Sequence, residues 1–309
     1  MDPQVRDFLA AAKAAPQPPI DTIPIAIARQ QFARLTPIFH PYVEVARVVD
    51  LKTGGGVPLR VYQPAGRHRG PQPGIVYFHG GGWVMGDLDT HDTLCRHLAN
   101  HAGAVVVAVD YRLAPEHPFP AAFEDAFAAV QHISENATAL GVDPAKLAVA
   151  GDSAGGNLAA AVALKARDLD GPPIAFQHLL YPVLDPGCDT ESYRKYATDF
   201  GLTADKMRFF WNTYLAGADG ADPRAAPLLA KDLTGLPPAQ IVTAGFDVLR
   251  DEGADYARRL RAAGVRAEAE CFSGMIHGFI HYAGAIHRGQ SALQGMGRQL
   301  AAELAGFRG

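Results

Sequence analysis

A serine stands at the centre of the segment with the clearest chemical signal in this sequence. Residues 146–164 read KLAVAGDSAGGNLAAAVAL, in which an apolar run leads into Gly151-Asp152-Ser153-Ala154-Gly155 and an alanine-rich stretch follows. This is the G-x-S-x-G pattern in the strand–turn–helix context of a nucleophile elbow. The two glycines let the strand and the helix approach each other, and the start of the helix places a positive dipole end near the hydroxyl. The segment therefore predicts a nucleophilic serine, with a purely structural glycine-rich turn as the alternative.

A run of three glycines follows an earlier apolar segment. GIVYF at 74–78 is followed by His79-Gly80-Gly81-Gly82-Trp83. Consecutive glycines are poor in strands and helices, but they let a backbone come close to a ligand and direct its N–H groups at it. An HGGG run after an early strand is typical of an oxyanion hole, in which its N–H groups act together with that of Ala154. A phosphate-binding loop is disfavoured because no Gly-Lys-Ser/Thr follows, and a structural turn remains the other alternative.

A histidine and an aspartate complete the set that would activate Ser153. His277 lies in CFSGMIHGF, just after the last predicted strand, where the base stands in the chain order serine, acid, histidine. Asp247 is the first carboxylate after the apolar run QIVTAGF, and it would accept the Nδ1–H of His277. Asp251 competes for this role, and Asp247 has the alternative of only capping a helix.

The remaining histidines carry weaker signals. His97 and His101 have the spacing of two ligands on one helical turn, but no H-E-x-x-H pattern is present, so a zinc site is disfavoured and a helix surface is expected. His281 and His287 are expected to be exposed on a helix that follows the loop of His277. We expect no metal and no organic cofactor, because a serine, histidine and aspartate set needs neither.

The elements that must position these residues alternate along the chain. Apolar runs predict strands at 74–78, 104–111, 146–151, 176–184, 240–246 and 267–272. Most of these runs are continuous rather than alternating, which suits strands buried on both faces of a parallel sheet. Helix-like stretches lie between them at 90–103, 123–141, 155–171 and 251–264. Before the first of these strands, residues 1–40 are predicted to be helical, and 43–51 with 57–64 to form a hairpin. The alternation favours an α/β layer fold.

Residues 185–230 interrupt the alternation. They contain no recognisable buried strand and one aromatic helix, DKMRFFWNTYL, which predicts an insertion lying on top of the sheet. Phe209, Phe210 and Trp211 of this helix either pack in a core or line a substrate pocket. The same two alternatives apply to Trp83 beside the glycine run.

A proline-rich block, YRLAPEHPFP, follows the second buried strand. Its prolines at 115, 118 and 120 restrict the backbone of a loop. Glu116 or Arg112 is expected to anchor this loop through ion pairs or backbone hydrogen bonds. The block therefore predicts support of the site rather than direct chemistry.

Composition and charge exclude several classes of protein. The 309 residues are 48% hydrophobic, which suits one large α/β domain. The formal net charge of −4 gives no field that would attract nucleic acid or an anionic membrane surface. Three distant cysteines indicate neither a disulfide framework nor a metal site. The amino terminus lacks a signal-peptide pattern and no run reaches ~18 apolar residues, so we expect a cytoplasmic protein without integral membrane association.

The sequence resembles the α/β-hydrolases of the hormone-sensitive-lipase-like group, also called bacterial family IV esterases. The resemblance extends from about residue 45 to the end, and it is carried by HGGGWVMGDLDTHD, VDYRLAPEHPFPAAFED, GDSAGGNLAAA, DVLRDEG and MIHGF. The site residues that it implies are Ser153, Asp247 and His277 as a catalytic triad, and the N–H groups of Gly81, Gly82 and Ala154 as an oxyanion hole.

The resemblance also implies an architecture and a reaction. The architecture is the α/β-hydrolase fold, a mostly parallel sheet flanked by helices, with a helical cap from residues 1–45 and 185–225 and a catalytic core from 46–184 and 226–309. The reaction is hydrolysis of small esters with short to medium acyl chains, and a homodimer is expected. An amidase, peptidase or acyltransferase with the same triad, and a non-catalytic small-molecule binder on this scaffold, remain alternatives.

The two candidate acids can be separated by mutation. Asp247→Asn should lower kcat for ester hydrolysis by about 10⁴-fold, because the histidine would lose its correct tautomer. Asp251→Asn should retain most of the activity. Steady-state kinetics of both variants on the same ester test this prediction, and a larger loss in Asp251→Asn would assign the acid to residue 251.

Overall fold

The computed structural model describes residues 1–35, 41–68 and 70–306, and the strands in these ranges form one eight-stranded sheet. In chain order the strands are β1 Arg47–Lys52, β2 Pro58–Gln63, β3 Gln72–Phe78, β4 Val105–Val109, β5 Val142–Asp152, β6 Phe176–Leu180, β7 Ala239–Phe246 and β8 Ala267–Ile276. Their order in the sheet is β1-β2-β4-β3-β5-β6-β7-β8. β1, β2 and β4 pair antiparallel, and every pairing from β4 to β8 is parallel. The predicted hairpin and the six predicted strands are present, but β8 at the edge of the sheet is exposed from Glu268 to Cys271 rather than buried on both faces.

Helices fill the connections and cover both faces of the sheet. They are α1 Pro3–Ala14, α2 Ile25–Ala33, α3 Asp92–Ala102, α4 Ala121–Glu135, α5 Ala137–Leu140, α6 Ala154–Asp168, α7 Glu191–Lys195, α8 Ala204–Leu215, α9 Arg250–Ala262 and α10 His287–Gly306. Short 3-10 turns lie at Ile20–Thr22 and Pro227–Leu229. Among the described residues, no helix is both long and apolar enough to cross a bilayer.

Three helix predictions need correction. The predicted helix over 1–40 is two helices, because the prolines between 16 and 24 interrupt it, and its last part at 36–40 lies outside the described residues. The stretch 123–141 is divided between α4 and α5 at Asn136. The insertion holds a second helix, α7, capped by Thr190. Five residues are too few to produce a recognisable helical period.

The sheet separates two apolar layers, as alternation along a strand requires. Val76 and Phe78 of β3 join the layer formed with α4, α6 and α9, whereas Ile75 and Tyr77 join the layer formed with α3 and α10. All four side chains are fully buried. The central strands are therefore fixed from both sides, and their carboxyl ends provide a rigid edge for a site.

A single amide side chain holds the two ends of the insertion together. Asn157 on α6 is fully buried, and its Nδ2 donates to the carbonyl oxygens of Val183 (2.8 Å) and Ala225 (2.7 Å). Val183 lies just before the insertion, and Ala225 is the last residue of its predicted cap segment, 185–225. The insertion is therefore attached to the helix that begins at the predicted nucleophile.

The start of α6 comes unusually close to the end of β3. A Cβ atom on Gly155 would overlap the carbonyl oxygen of Phe78, and one on Gly151 would overlap the backbone of Gly155. Both glycines are therefore required by backbone packing, as the elbow pattern predicts.

This contact can be tested against a second helical glycine. Gly155→Ala should lower the free energy of unfolding by about 3 kcal/mol or more, because the new methyl group overlaps backbone that cannot move without shifting β3. Gly295→Ala in α10 meets no atom within 4 Å, and should instead add about 0.5–1 kcal/mol through helix propensity. Urea unfolding of both variants measures the difference. Equal effects would contradict the packing argument.

Candidate active site

Ser153 occupies a strained turn between β5 and α6. Its φ is 56° and its ψ is −118°, a conformation that is costly for a residue with a side chain. Backbone hydrogen bonds maintain it: the N–H of Ser153 donates to the carbonyl of Leu180 at 2.8 Å, and its carbonyl accepts from the N–H groups of Asn157 and Val183. The hydroxyl is thereby held at the carboxyl edge of the sheet.

Three predicted residues form one hydrogen-bonded series at this edge. The Nε2 of His277 lies 3.0 Å from the Oγ of Ser153, and its Nδ1 lies 2.8 Å from Oδ2 of Asp247. His277 directly follows β8 and Asp247 directly follows β7. The side chain of Asp247 is completely buried, and its Oδ1 accepts from the N–H of Leu249 at 3.0 Å. With its proton on Nδ1, His277 donates to Asp247 and is free to accept the serine proton at Nε2.

The competing acid lies elsewhere. Oδ2 of Asp251 accepts from the N–H of Ser192 at 2.8 Å, and its Oδ1 accepts from Nε of Arg250 at 2.8 Å. Ser192 also donates from its hydroxyl to the carbonyl of Val248 at 2.6 Å. Asp251 therefore fixes α7 to the beginning of α9.

The glycine run forms a tight turn beside the serine, here called the oxyanion loop (residues 80–85). Gly81 and Gly82 have φ values of 118° and 63°, and the N–H groups of Val84 and Met85 donate to the carbonyl of Gly81. Gly80 uses its own N–H in a bond to the carboxylate of residue 152. In the described part of the chain, the hydrogen bonds found do not engage the N–H groups at positions 81, 82 and 154. These three groups therefore remain for a ligand.

Asp152 is a buried carboxylate that sequence reasoning did not single out. Its Oδ1 accepts from the N–H of Gly80 at 2.9 Å and from the hydroxyl of Tyr77 at 2.7 Å, and Nε2 of His91 lies 3.4 Å away. Burial opposes its charge, but the attraction of His91 and His281 and the Tyr77 hydrogen bond outweigh burial and hold the pKa of Asp152 well below its usual range. The carboxylate therefore joins the oxyanion loop to β5, the strand that ends at the predicted nucleophile. The one available signal was an acidic residue directly after the apolar residues 147–151.

The expectation for His281 was wrong. It lies in the turn before α10 rather than on a helix, it is buried, and its ring stacks on that of His91 at 4.3 Å between centroids. His287 begins α10 and is exposed, as expected. His281 is buried because its ring stacks on that of His91, a contact that no local period reveals.

The four predicted pocket residues differ in their burial and in their contacts. The ring of Phe210 lies directly against Gly82, so that a Cβ on this glycine would overlap it. Trp83 is fully buried, stacks on Tyr214 at 4.2 Å and contacts Trp211 at 4.7 Å between ring centroids. This arrangement favours core packing for the two tryptophans. Phe209 is only partly buried.

A second buried carboxylate holds the beginning of the insertion. Glu252 on α9 accepts with its Oε2 from the N–H groups of Leu184 (2.6 Å) and Asp185 (3.0 Å). Within the described residues its Oε1 has no hydrogen-bond partner. Burial raises the pKa of Glu252 to about 8, because the two backbone bonds offset the desolvation of the charge only in part.

Comparison with known proteins places the chain among hydrolases. A family model for the alpha/beta hydrolase fold matches residues 75–281. The carboxylesterase NlhH of Mycobacterium tuberculosis is 43% identical over 287 residues, which cover 91% of this chain and 89% of that protein. A solved ester hydrolase from the metagenome of Lake Arreo, complexed with a bipyridine phosphonate derivative, has a TM-score of 0.94 at 40% identity and 99% coverage of both chains. A hyperthermophilic esterase from Pyrobaculum calidifontis has a TM-score of 0.92 at 41% identity and 98% coverage of both chains.

The raised pKa of Glu252 predicts a specific dependence of stability on pH. In the unfolded chain this carboxyl titrates near its ordinary value of 4.5, whereas in the folded protein it keeps its proton up to about 8. The folded state therefore binds more protons between these values, so stability falls as pH rises through this window. Glu252→Gln should remove this loss and unfold with a free energy about 2–5 kcal/mol above the wild type at pH 9, but close to it at pH 5.

Denaturant unfolding at pH 5, 7 and 9 measures this difference. Glu135→Gln, at an exposed position of α4, provides the matched control and should follow the wild type at each pH. Parallel pH profiles for the wild type and Glu252→Gln would contradict the prediction.

Proposed function

The chain belongs to the alpha/beta hydrolase fold family, in its hormone-sensitive-lipase-like group, and is a carboxylic-ester hydrolase; we propose that it is a serine esterase acting on short- to medium-chain esters through an acyl-enzyme. The observation that carries the proposal is the continuous series of hydrogen bonds from Ser153 through His277 to the buried Asp247. In this arrangement a weak nucleophile, its base and the orienting acid are already aligned.

In the first step, Ser153 attacks the ester carbonyl while Nε2 of His277 takes its proton. Asp247 holds the imidazole in the required tautomer and stabilises the imidazolium. The carbonyl oxygen becomes an oxyanion, which accepts hydrogen bonds from the N–H groups of Gly81, Gly82 and Ala154. Each such donor typically contributes about 3–4 kcal/mol to the transition state.

Departure of the alcohol completes acylation, and water then takes the place of the serine as the nucleophile in deacylation. His277 gives its proton to the departing alcohol, and the acyl group remains on Ser153. A water molecule then loses a proton to His277 and attacks the acyl carbonyl through the same oxyanion geometry. The acid is released, and the serine regains its proton. Protein groups perform every step.

The names of the relatives favour an ester over the competing substrates. NlhH is named a carboxylesterase, and the two structural neighbours are named an ester hydrolase and an esterase. An amidase, peptidase or acyltransferase would use the same series of residues, but no contact in the site favours one of these reactions. The complete set of serine, base and acid argues against a binding protein without catalysis.

The proposed chain-length range depends on the cap, which we assign to residues 1–45 and 185–225. The ring of Phe210 lies against Gly82 and limits the space beside the oxyanion loop. A short acyl chain fits beside such a covered loop more easily than a long one. A cytoplasmic location and a homodimer remain further parts of the proposal.

A series of p-nitrophenyl esters from acetate to palmitate tests the proposal. We expect kcat/KM to be highest for short to medium chains and to fall toward palmitate. Ser153→Ala should lower kcat by about 10⁶-fold, because the loss of a triad nucleophile is rarely compensated. Its melting temperature serves as the folding control. A wild type without activity on every ester would refute the proposal, and an active Ser153→Ala would refute the assignment of the nucleophile.

A further inference from the structure

One arginine near the amino terminus connects helix α2 to two loops of the core. The Nε of Arg29 donates to the carbonyl of Val84 at 2.8 Å, and its Nη2 donates to the carbonyl of Ala114 at 3.0 Å. The same guanidinium pairs with both carboxylate oxygens of Glu116, at 2.9 and 2.7 Å. Arg29 is therefore the ion-pair partner of Glu116, which the sequence alone did not identify.

The two carbonyl acceptors belong to the support of the oxyanion loop. Val84 closes this loop, because its N–H donates to the carbonyl of Gly81 at 3.2 Å. Ala114 binds the loop from the proline-rich block, since its N–H donates to the carbonyl of Trp83 at 2.8 Å. Arg29 therefore binds the same turn that contains the N–H groups of Gly81 and Gly82.

The bonds from Arg29 to the carbonyl groups of Val84 and Ala114 differ from an ordinary surface ion pair. The pair with Glu116 is half-exposed, and pairs of this type contribute little to stability. Val84 and Ala114, in contrast, are fully buried, and buried carbonyl groups require donors. The planar guanidinium reaches three acceptors at once, which the single ammonium of a lysine does not.

Four attachments hold the oxyanion loop. Asp152 binds Gly80 from the core, the ring of Phe210 covers Gly82 from α8, and the N–H of Ala114 donates to the carbonyl of Trp83 from the proline-rich block. Arg29 provides the fourth attachment, from helix α2. Only this attachment is lost when α2 moves away from the core.

We propose that Arg29 is a positioning residue for the oxyanion hole, which it aligns by fixing the turn between Gly81 and Val84. This inference rests on the proposed function. Docking of α2 on these two loops then also aligns the oxyanion hole. An enzyme whose α2 is lifted keeps Ser153 and His277 in place but aims its oxyanion donors poorly.

Kinetics of three variants test the proposal. Arg29→Ala should lower kcat about 10- to 100-fold with less than a threefold change in KM, because a displaced donor weakens the transition state rather than substrate binding. Arg29→Lys should recover only part of this loss. Glu116→Gln should stay within about threefold of the wild type, since the bonds of Arg29 to Val84 and Ala114 remain.

Arg258→Ala is the matched control. It also removes an arginine from a pair with an acidic residue, Asp255, but both side chains are exposed on α9. Its kinetics should equal those of the wild type. A change in KM alone for Arg29→Ala would overturn the proposal, because it would make Arg29 a cover of the pocket and not a support of the hole.

Amide hydrogen exchange of the intact protein provides a readout independent of activity. In Arg29→Ala, exchange should accelerate in peptides of α2 and in peptides covering residues 80–86 and 113–117, and in Arg258→Ala it should not. Faster exchange in α2 with unchanged exchange at 80–86 would overturn the proposal. If the wild type hydrolysed no ester, the proposed function would fail, and the exchange data would still decide whether Arg29 supports the loop.

Discussion

The backbone contact between Gly155 and Phe78 determines the arrangement of the whole site. Because residue 155 has no side chain, α6 begins directly against the end of β3. This approach leaves Ser153 in a left-handed turn with its hydroxyl at the edge of the sheet. The oxyanion loop starts just after Phe78, so the same contact brings it beside the nucleophile. A strained serine is tolerated because the surrounding backbone hydrogen bonds leave it no alternative.

A buried charge stabilises this junction. An unpaired carboxylate at the position of Asp152 would be costly, but a backbone N–H, a tyrosine hydroxyl and the adjacent His91 surround it. Removal of one partner would leave the buried charge with less compensation, so the cluster holds its members together cooperatively. The buried carboxylate of Asp152 therefore fixes the position of Gly80 relative to Ser153. Apolar side chains of the same size make no directional bonds and would fix this position less well.

The sequence revealed features that follow from local patterns, but it did not reveal individual contacts between residues that are far apart along the chain. Ser153, Asp247 and His277 follow buried strands, and parallel strands bring their carboxyl ends to one edge, so their proximity could be predicted. The contact between Arg29 and Val84 joins residues 55 positions apart, and no spacing or period announces it. His281 was expected at the surface for the same reason. Its burial depends on contact with His91, which lies in a distant part of the sequence. Helix α7 was missed because it is shorter than two turns.

The attachments of the oxyanion loop link access to the site with its chemistry. Phe210 comes from the insertion and Arg29 from the amino-terminal helices, and both act on the same short turn. An oxyanion hole loses much of its effect when its donors move by about 1 Å. A wide opening of either segment is therefore incompatible with an aligned hole, whereas a closed arrangement leaves little room beside Gly82. A substrate small enough to fit under the closed segments meets aligned donors, but a larger one must displace them. If the chain acts as the proposed esterase, selection for small acyl groups follows from the support of the oxyanion hole itself.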